Sequence, residues 1–314
     1  MVEILSKETG SYRLEEFISK TDQGDLYLAT DIAGKVLVHV KCLNEENTRG
    51  NDFRGPGLVS LKNSLTIKSE YLCRIIDFFE DHGKFYVVTE ILEGQNILEK
   101  FESSTIIYEE FLIYACMAAK GLLDIHSHGL IHGNIKPTNI IITNNNVLKY
   151  VDYSVPINFD LEKIEYEGET NEALHYLSPE VVKGQNLSRS SDLYALGAVF
   201  LRLLTGKYLY SGETNIELLS AIVNKSPNFS VVKEMAIPGE TVLLLEKLLW
   251  KEDHGRFSSA EELLVTITEM ISFKSKILTD EYVKDIHSPR DYMLVSLLAV
   301  FAILFWILAV SILK

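Results

Sequence analysis

The first ninety residues carry apolar and polar side chains in short alternating runs, the pattern of β-strands. Five runs rich in β-branched and aromatic residues predict strands: YRLEEFI, GDLYLAT, KVLVHVKCL, CRIIDFFE and KFYVVTEIL. The Gly, Asp and Asn residues between these runs predict turns. One segment differs, because GLVSLKNSLTIK spaces its apolar residues as a helix does and follows the breaker sequence RGPG. The pattern predicts a β-rich lobe with one helix inserted in it.

From residue 108 onward the apolar spacing becomes that of helices. YEEFLIYACMAAKGLLDIHSHG is long, amphipathic and ends at a glycine, whereas DLYALGAVFLRLLTG is apolar nearly all round, as a buried central helix is. SSAEELLVTITEMI opens with a capping box, a Ser followed three positions later by Glu. The order of elements predicts an α+β fold with two lobes, a β-rich one over 10–91 and a helical one over 92–271.

The longest apolar stretch of the sequence is YMLVSLLAVFAILFWILAVSIL, residues 292–313, without charge, Gly or Pro. A helix of that length reaches about 33 Å at about 1.5 Å per residue, enough for the roughly 30 Å hydrocarbon layer of a membrane. A buried core helix is the alternative, but a core helix rarely lacks a polar stripe for so long. Basic residues precede the stretch: Lys274, Lys276, Lys284 and Arg290.

This arrangement predicts a single-pass tail anchor at 292–313, joined to the lobes by a linker over 272–291. The basic residues on its N-terminal side favour a cytoplasmic main domain. We expect the membrane to be that of the endoplasmic reticulum or another intracellular compartment. No secretory signal is visible in the sequence MVEILSKETGSYRLEEF.

Composition and charge narrow the possible partners. Hydrophobic residues make up 47% of the chain, charged residues 24%, and the net charge is −14. Nucleic acid is excluded as an expected partner because no basic face is available for a phosphate backbone. The three cysteines are far apart in apolar stretches, which predicts buried thiols in a reducing compartment rather than a disulfide framework or a metal site: Cys42, Cys73 and Cys116.

Six short motifs then follow one another in a fixed order: VHVK, HGNIKPTN, VDYS, LSPE, SSDLYALG and KEDHGRFS. This series, over about residues 12 to 270, resembles the eukaryotic protein kinase family, whose catalytic loop is H-R-D-L-x-x-x-N. The resemblance implies a bilobal fold with a nucleotide cleft between the lobes. It also implies a buried ion pair between Glu180 and Arg256, and an Asp192 that accepts hydrogen bonds from the catalytic-loop backbone.

The resemblance assigns the site residues by position. Catalytic positions are held by Asn134 and Lys136. Residues implied in nucleotide binding are Lys41, Gly24, Glu90, Ile91, Asn139 and Asp152, with Thr89 and Ile141 beside the adenine. Two of these, Asn139 and Asp152, are the implied magnesium ligands, since both offer oxygen to a hard cation.

Several of these positions depart from the family pattern. Asn134 stands where the catalytic Asp belongs, and its neutral amide cannot accept a proton, a loss that typically costs about 10²–10⁴ in rate. Gly133 replaces the Arg that pairs with a phosphate in the activation segment. The loop SKTDQG keeps only Gly24 of three glycines, although glycines let backbone amides approach phosphates closely. Ala173 replaces a threonine that contacts the catalytic residues.

Two further features concern the cleft. No glutamate occurs between Glu46 and Glu70, so the helix there offers no family-type partner for Lys41 unless Asp52 serves. His39 falls where the family has a small Ala above the adenine ring. It either narrows a nucleotide cleft or fills an empty one, and we favour the second.

Intact structural residues beside altered catalytic ones favour a pseudokinase. The leading hypothesis is a membrane-anchored, catalytically inactive scaffold or allosteric regulator that binds a signalling protein such as an active kinase. Its negative charge makes a basic partner easier than an acidic one. The first alternative is a weak or atypical Ser/Thr kinase that uses Mg-ATP, and the second is a nucleotide-sensing switch. ATP and magnesium are expected to bind weakly if at all.

Overall fold

The computed structural model describes residues 4–7, 10–48, 53–103, 107–153, 155, 171–227, 229–230, 232, 235 and 237–284. The proposed anchor at 292–313 lies outside these residues, as does most of the activation segment. Among the helices that the structure describes, none combines the length and the apolar character that crossing a bilayer requires.

The small lobe is a six-stranded antiparallel sheet in the order β1-β2-β3-β4-β6-β5. Its strands are β1 (Ile4–Lys7), β2 (Gly10–Thr21), β3 (Gly24–Asp31), β4 (Val36–Leu43), β5 (Ile75–Asp81) and β6 (Lys84–Thr89). The five predicted runs are confirmed as β2 to β6, and β1 is a strand that the pattern did not reveal. Alternate residues of β4, Val38 and Val40, enter a buried apolar cluster with Ala29 and Val88, as period-two patterning requires.

The predicted helix of the small lobe is short. The run GLVSLKNSLTIK forms only α2 (Leu58–Ser64), which follows α1 (Glu45–Thr48) and a π-type turn at Phe53–Gly57. Pro56 lies in the turn that precedes α2, where a missing backbone N–H costs little. Phe53 and Leu61 bury this segment against the sheet, with the Phe53 and Phe85 rings 4.8 Å apart edge to face.

The large lobe begins with a three-stranded sheet of β7 (Gly94–Asn96), β8 (Ile140–Thr143) and β9 (Leu148–Tyr150). Its described helices are α3 (Ile97–Ser103), α4 (Tyr108–Ser127), α5 (Pro179–Val182), α6 (Arg189–Thr205), α7 (Asn215–Asn224), α8 (Gly239–Leu248) and α9 (Ala260–Lys284). Single 3₁₀ turns lie at Pro137–Asn139, Glu172–Tyr176 and Asp253–Gly255. The predicted two-lobed α+β architecture is confirmed.

Helix α6 forms the centre of this lobe, as its all-round apolar sequence predicts. Ser188 caps its first turn by accepting the Ser191 amide, and Gly206 ends it in a left-handed conformation. At Gly197 a Cβ would lie 2.6 Å from the Leu248 Cβ, so glycine permits the close approach of α6 and α8. The helix thereby holds its first turn, which carries Asp192, at a fixed place beneath the cleft.

Candidate active site

Asp192 in the first turn of α6 anchors the loop that carries the catalytic positions. Asp192 is 2% exposed. Its carboxylate accepts the backbone N–H of His132 at 2.9 Å and that of Gly133 at 2.8 Å. The His126 ring nitrogen Nε2 lies 2.9 Å from the same carboxylate. Hydrogen bonds to an ionised acceptor are the stronger kind. The role that the resemblance implied for Asp192 is confirmed.

The implied ion pair between Glu180 and Arg256 is also confirmed. Two parallel contacts join the guanidinium to the carboxylate, Nη1 to Oε1 at 2.6 Å and Nη2 to Oε2 at 2.8 Å. Arg256 is buried and donates further hydrogen bonds to backbone oxygens of Trp250 and Ser190. Burial would raise the pKa of the Glu180 carboxyl, but the bonds from Arg256 outweigh it and hold that pKa below its ordinary value.

A cavity of about 350 Å³ lies between the lobes. The described residues that line it are Ser19, Thr21, Asp22, Gln23, Leu26, His39, Lys41, Cys73, Ile75, Val87, Thr89, Glu90, Leu92, Gly94, Lys136, Thr138, Asn139, Ile141, Val151, Asp152, Tyr153 and Val155. Most of the residues predicted for the site therefore converge on one cleft. Ile91, Gly24 and Asn134 are the exceptions: Leu92 and the turn just before Gly24 face the cavity instead, and Asn134 lines a separate small pocket with Gly133 and Leu187.

Lys41 at the back of the cleft pairs with Asp152. Strand β4 places the lysine ammonium directly against the Asp152 carboxylate, and the lysine is 7% exposed. Between Phe53 and Ser64 no residue is acidic, so α2 presents no competing carboxylate. Asp152 adopts a left-handed backbone conformation with φ of 61°. The expectation of a Lys41 without the family's helix partner holds for the described helix, but the lysine is paired nonetheless.

The tip of the turn between β2 and β3 folds down into the cleft. Gln23 is 1% exposed, and its side-chain amide donates to the backbone oxygens of Asp152 at 2.9 Å and Val155 at 3.3 Å. Next to it, the Asp22 carboxylate forms an ion pair with the Lys136 ammonium. The turn that would cover phosphates is thus hydrogen-bonded to the residues that would hold them.

Gly24 has a packing reason to be glycine. A Cβ at this position would lie 1.9 Å from the backbone oxygen of Cys42 on the neighbouring strand. Because that contact is to backbone, no side-chain movement relieves it. The one glycine kept from the family pattern is required where β3 and β4 meet, whether or not a nucleotide binds.

The base position is buried and neutral. Asn134 is 6% exposed, its backbone oxygen accepts the Asn139 side-chain amide at 2.8 Å, and its own Nδ2 has no hydrogen-bond partner among the described residues. Gly133 beside it has φ of 70°, and a Cβ there would lie 2.9 Å from Leu187 Cδ1. The missing Arg is therefore accompanied by a backbone conformation that side chains rarely adopt.

The residues implied as magnesium ligands, Asn139 and Asp152, both line the cleft but do not present a ready cation site. The Asp152 carboxylate is engaged by Lys41, and the Asn139 amide nitrogen is used within the loop. Across the described part of the chain no group of three or more His, Cys, Asp or Glu side chains could hold a metal. As arranged, the Asp152 carboxylate would have to leave Lys41 before it could bind magnesium, whereas the Asn139 side-chain oxygen is not used by the hydrogen bond within the loop.

The adenine side of the cleft is built around Glu90. Its N–H donates to the Arg74 backbone oxygen at 3.0 Å, and its carboxylate accepts the Lys149 ammonium at 2.6 Å.

Burial raises the pKa of the Cys73 thiol to about 12, as expected of an inert cysteine. Burial, and then the charge of Lys41, lower the pKa of His39, so this ring faces the cavity uncharged at neutral pH.

Sequence reasoning missed two residues of the site, Asp22 and Gln23. Both were visible in SKTDQG, where an acid and an amide replace loop positions that the family keeps small or flexible. An acidic residue in a loop meant for phosphates was the signal, because like charges repel.

The chain is similar to known proteins along most of its length. A model of the protein kinase domain family matches residues 12–266. A probable serine/threonine-protein kinase of Clostridium acetobutylicum is 25% identical over 273 residues, which cover 86% of this chain and 41% of that protein. The kinase PrkC of Bacillus subtilis is 24% identical, over 81% of this chain and 40% of PrkC. The chain thus spans less than half the length of these relatives.

Solved structures support the same fold. A crystal structure of Rad53 1-466 in complex with AMP-PNP superposes with a TM-score of 0.65 at 21% identity, covering 84% of this chain and 64% of that one. The family match extends from β2 into α9 and includes every motif described above. This chain belongs to the protein kinase domain family.

Proposed function

We propose that this protein-kinase-fold chain is a pseudokinase that acts through its shape rather than by transferring phosphate. The observation that carries the proposal is the self-pairing of the cleft: Lys41 with Asp152, and Lys136 with Asp22. In an active protein kinase the lysine and a helix glutamate form an ion pair while the aspartate holds magnesium. In this chain Lys41 and Asp152 pair with each other, so neither group has the partner that it has in an active kinase.

The base position adds a second, independent loss. An Asn134 that cannot accept the proton of a substrate hydroxyl removes a contribution of about 10²–10⁴ in rate. Phosphoryl transfer depends chiefly on positioning and electrostatics, so this loss alone is survivable. Combined with a paired Lys41 and a turn that covers the phosphate positions, it supports a rate too low for a signalling enzyme.

The biological role proposed for such a domain is recognition of another protein. We propose a scaffold or allosteric regulator of a signalling protein, such as an active kinase, held at an intracellular membrane by residues 292–313. What supports this part is sequence alone: the apolar stretch of 22 residues and the preceding basic residues.

The second candidate function is a weakly active Ser/Thr protein kinase. The observation in its favour is that the relatives named above are serine/threonine-protein kinases. Lys41, Lys136, Asn139 and Asp152 are all retained at the cleft. Activity would require the Lys41–Asp152 pair to separate when Mg-ATP enters.

Phosphate transfer separates the two candidates. The full chain in mild detergent is incubated with Mg and radiolabelled ATP plus generic protein substrates, beside a known kinase as positive control. We expect incorporation at the level of the blank. Turnover above the blank that disappears in Asp152→Ala establishes the kinase and refutes the pseudokinase.

The anchor is tested by deletion. The full chain should stay with membranes through an alkaline wash, and a chain lacking residues 292–314 should be released into the supernatant. If the shortened chain still pellets after the wash, the anchor assignment is wrong.

A further inference from the structure

The charged groups of the cleft are already matched to one another. The described lining residues include two ammonium groups, Lys41 and Lys136, and three carboxylates, Asp22, Glu90 and Asp152. Each ammonium contacts one of these carboxylates, and Glu90 is paired outside the cavity with Lys149. A phosphate entering the cleft would therefore meet no unpaired ammonium among the described lining residues, and a nearby Asp22 carboxylate would repel it.

The rest of the cavity is apolar and spacious. Leu26, Ile75, Val87, Leu92, Ile141 and Val151 line it. Its volume of about 350 Å³ falls within the range of small-molecule sites, roughly 300–1,000 Å³. A few polar groups, among them the uncharged His39 ring and the Thr89 hydroxyl, stand at its wall. Such a wall suits a flat, uncharged ring system.

The turn between β2 and β3 separates the charged part of the cavity from its apolar part. Gln23 is almost fully buried and bonded to Asp152 and Val155, so it closes the side on which phosphates would extend. Asp22 is held in turn by the Asn44 and Asn47 side-chain amides, which donate to its backbone oxygen at 3.1 and 3.2 Å. The closing residues are therefore supported from both lobes.

We infer that this cleft binds an uncharged ligand of nucleoside size and discriminates against nucleoside triphosphates. Asp22 and Gln23 take the positions that phosphates would need. The inference rests on the proposed function, because it assigns to the same cleft a ligand that cannot donate phosphate. It goes further in reversing the charge preference expected of a nucleotide site.

The test compares adenosine with ATP on the full chain in mild detergent. Calorimetric titrations are run with adenosine, with ATP alone and with Mg-ATP. We expect adenosine to bind at least tenfold more tightly than either form of ATP. Equal or tighter binding of ATP overturns the inference, as does the absence of binding by all three probes.

A charge-matched pair of variants identifies the cause of the preference. Asp22→Asn removes the carboxylate at Lys136 and should tighten ATP binding about tenfold while changing adenosine binding less than twofold. Asp25→Asn removes the same charge from the neighbouring strand β3, outside the cavity lining, and should change neither. An Asp22→Asn chain with an unchanged ATP-to-adenosine ratio contradicts the inference. Thermal unfolding of each variant confirms that it is folded.

Failure of this inference is distinguishable from failure of the proposed function. A chain that prefers adenosine but transfers labelled phosphate keeps the ligand preference and loses the pseudokinase assignment. A chain that prefers ATP but transfers none keeps the pseudokinase and loses the ligand preference.

Discussion

Two networks of charged residues in this molecule differ in how far they retain the pairing that the family resemblance implies. Beneath the cleft, Glu180 pairs with Arg256 and Asp192 holds the catalytic-loop backbone, as the family resemblance implies. Inside the cleft, Lys41 and Lys136 are paired with carboxylates of the chain itself. The lower network, beneath the cleft, supports the helical lobe, whereas the upper network, inside the cleft, pairs the charges of the cleft with one another.

The difference teaches that a retained residue type need not keep the partner that the family gives it. Lys41 and Asp152 are both of the residue types that the family uses, but each neutralises the other. Because the Lys41–Asp152 pair is largely removed from water, salt screens the attraction between its two charges only a little. Presence of a motif residue is informative only together with its partner.

The largest expected effect comes from breaking the lower network. Arg256→Ala leaves the partly buried Glu180 carboxylate without its partner and should lower the free energy of unfolding by about 3–5 kcal/mol. Urea denaturation of the full chain in detergent measures it. Arg13→Ala serves as the control, because the Arg13–Glu15 pair is exposed and solvent screens it, so its loss should change the free energy of unfolding little. Similar losses in both variants would contradict the assigned role of Arg256.

Acid should weaken the same network. The pKa of Glu180 is lower in the folded chain than in the unfolded chain, so the unfolded state takes up the proton first. The stability from this pair is fully present above the ordinary Glu pKa of about 4.3 and is lost as pH falls toward the folded value. Urea midpoints between pH 3 and 7 should drop more steeply in the wild type than in Glu180→Gln. Parallel curves would exclude Glu180 as the source.

A smaller effect is expected where the lower network meets the cleft. Gly133→Ala places a Cβ at φ of 70° and 2.9 Å from Leu187 Cδ1, which should cost about 1–2 kcal/mol. Gly129→Ala is the matched control, since its φ is 74° but nothing lies within 4 Å of the added Cβ. Comparing the thermal melts of the two variants separates the cost of backbone strain from the cost of the contact with Leu187. A more stable Gly133→Ala would show that the loop does not need its left-handed residue.

The smallest effect is predicted for restoring the base. Asn134→Asp supplies a carboxylate but leaves Lys41 paired with Asp152 and the turn in the cleft. Phosphate transfer should therefore rise by less than tenfold over the blank, as measured with radiolabelled ATP. A hundredfold rise would mean that the cleft already organises ATP, and that the upper network opens readily.

The sequence predicted those parts of the fold whose contacts are set by regular helices and strands. The strand runs and the long helices carry clear periodicity, and the predicted cap in SSAEELL marks a helix start by local chemistry, since the Ser259 hydroxyl accepts the Glu262 backbone N–H at 3.2 Å. The Glu180–Arg256 pair followed from the family motifs. Strand β1 was missed because four residues offer too short a pattern.

The arrangement of the cleft was harder to foresee. The partner of Lys41 depends on the backbone of Asp152, and the position of Gln23 depends on how a two-residue turn tilts between lobes. No periodicity encodes either. The missing helix glutamate showed that the family pair was absent, but not which carboxylate would replace it.

Three residues of the β-rich lobe contact the helical lobe in the cleft: Lys41 contacts Asp152, Gln23 contacts Asp152 and Val155, and Asp22 contacts Lys136. These contacts tie the two lobes to each other across the cleft. A protein that contacted both lobes across the cleft would meet two surfaces whose relative position these contacts help to fix.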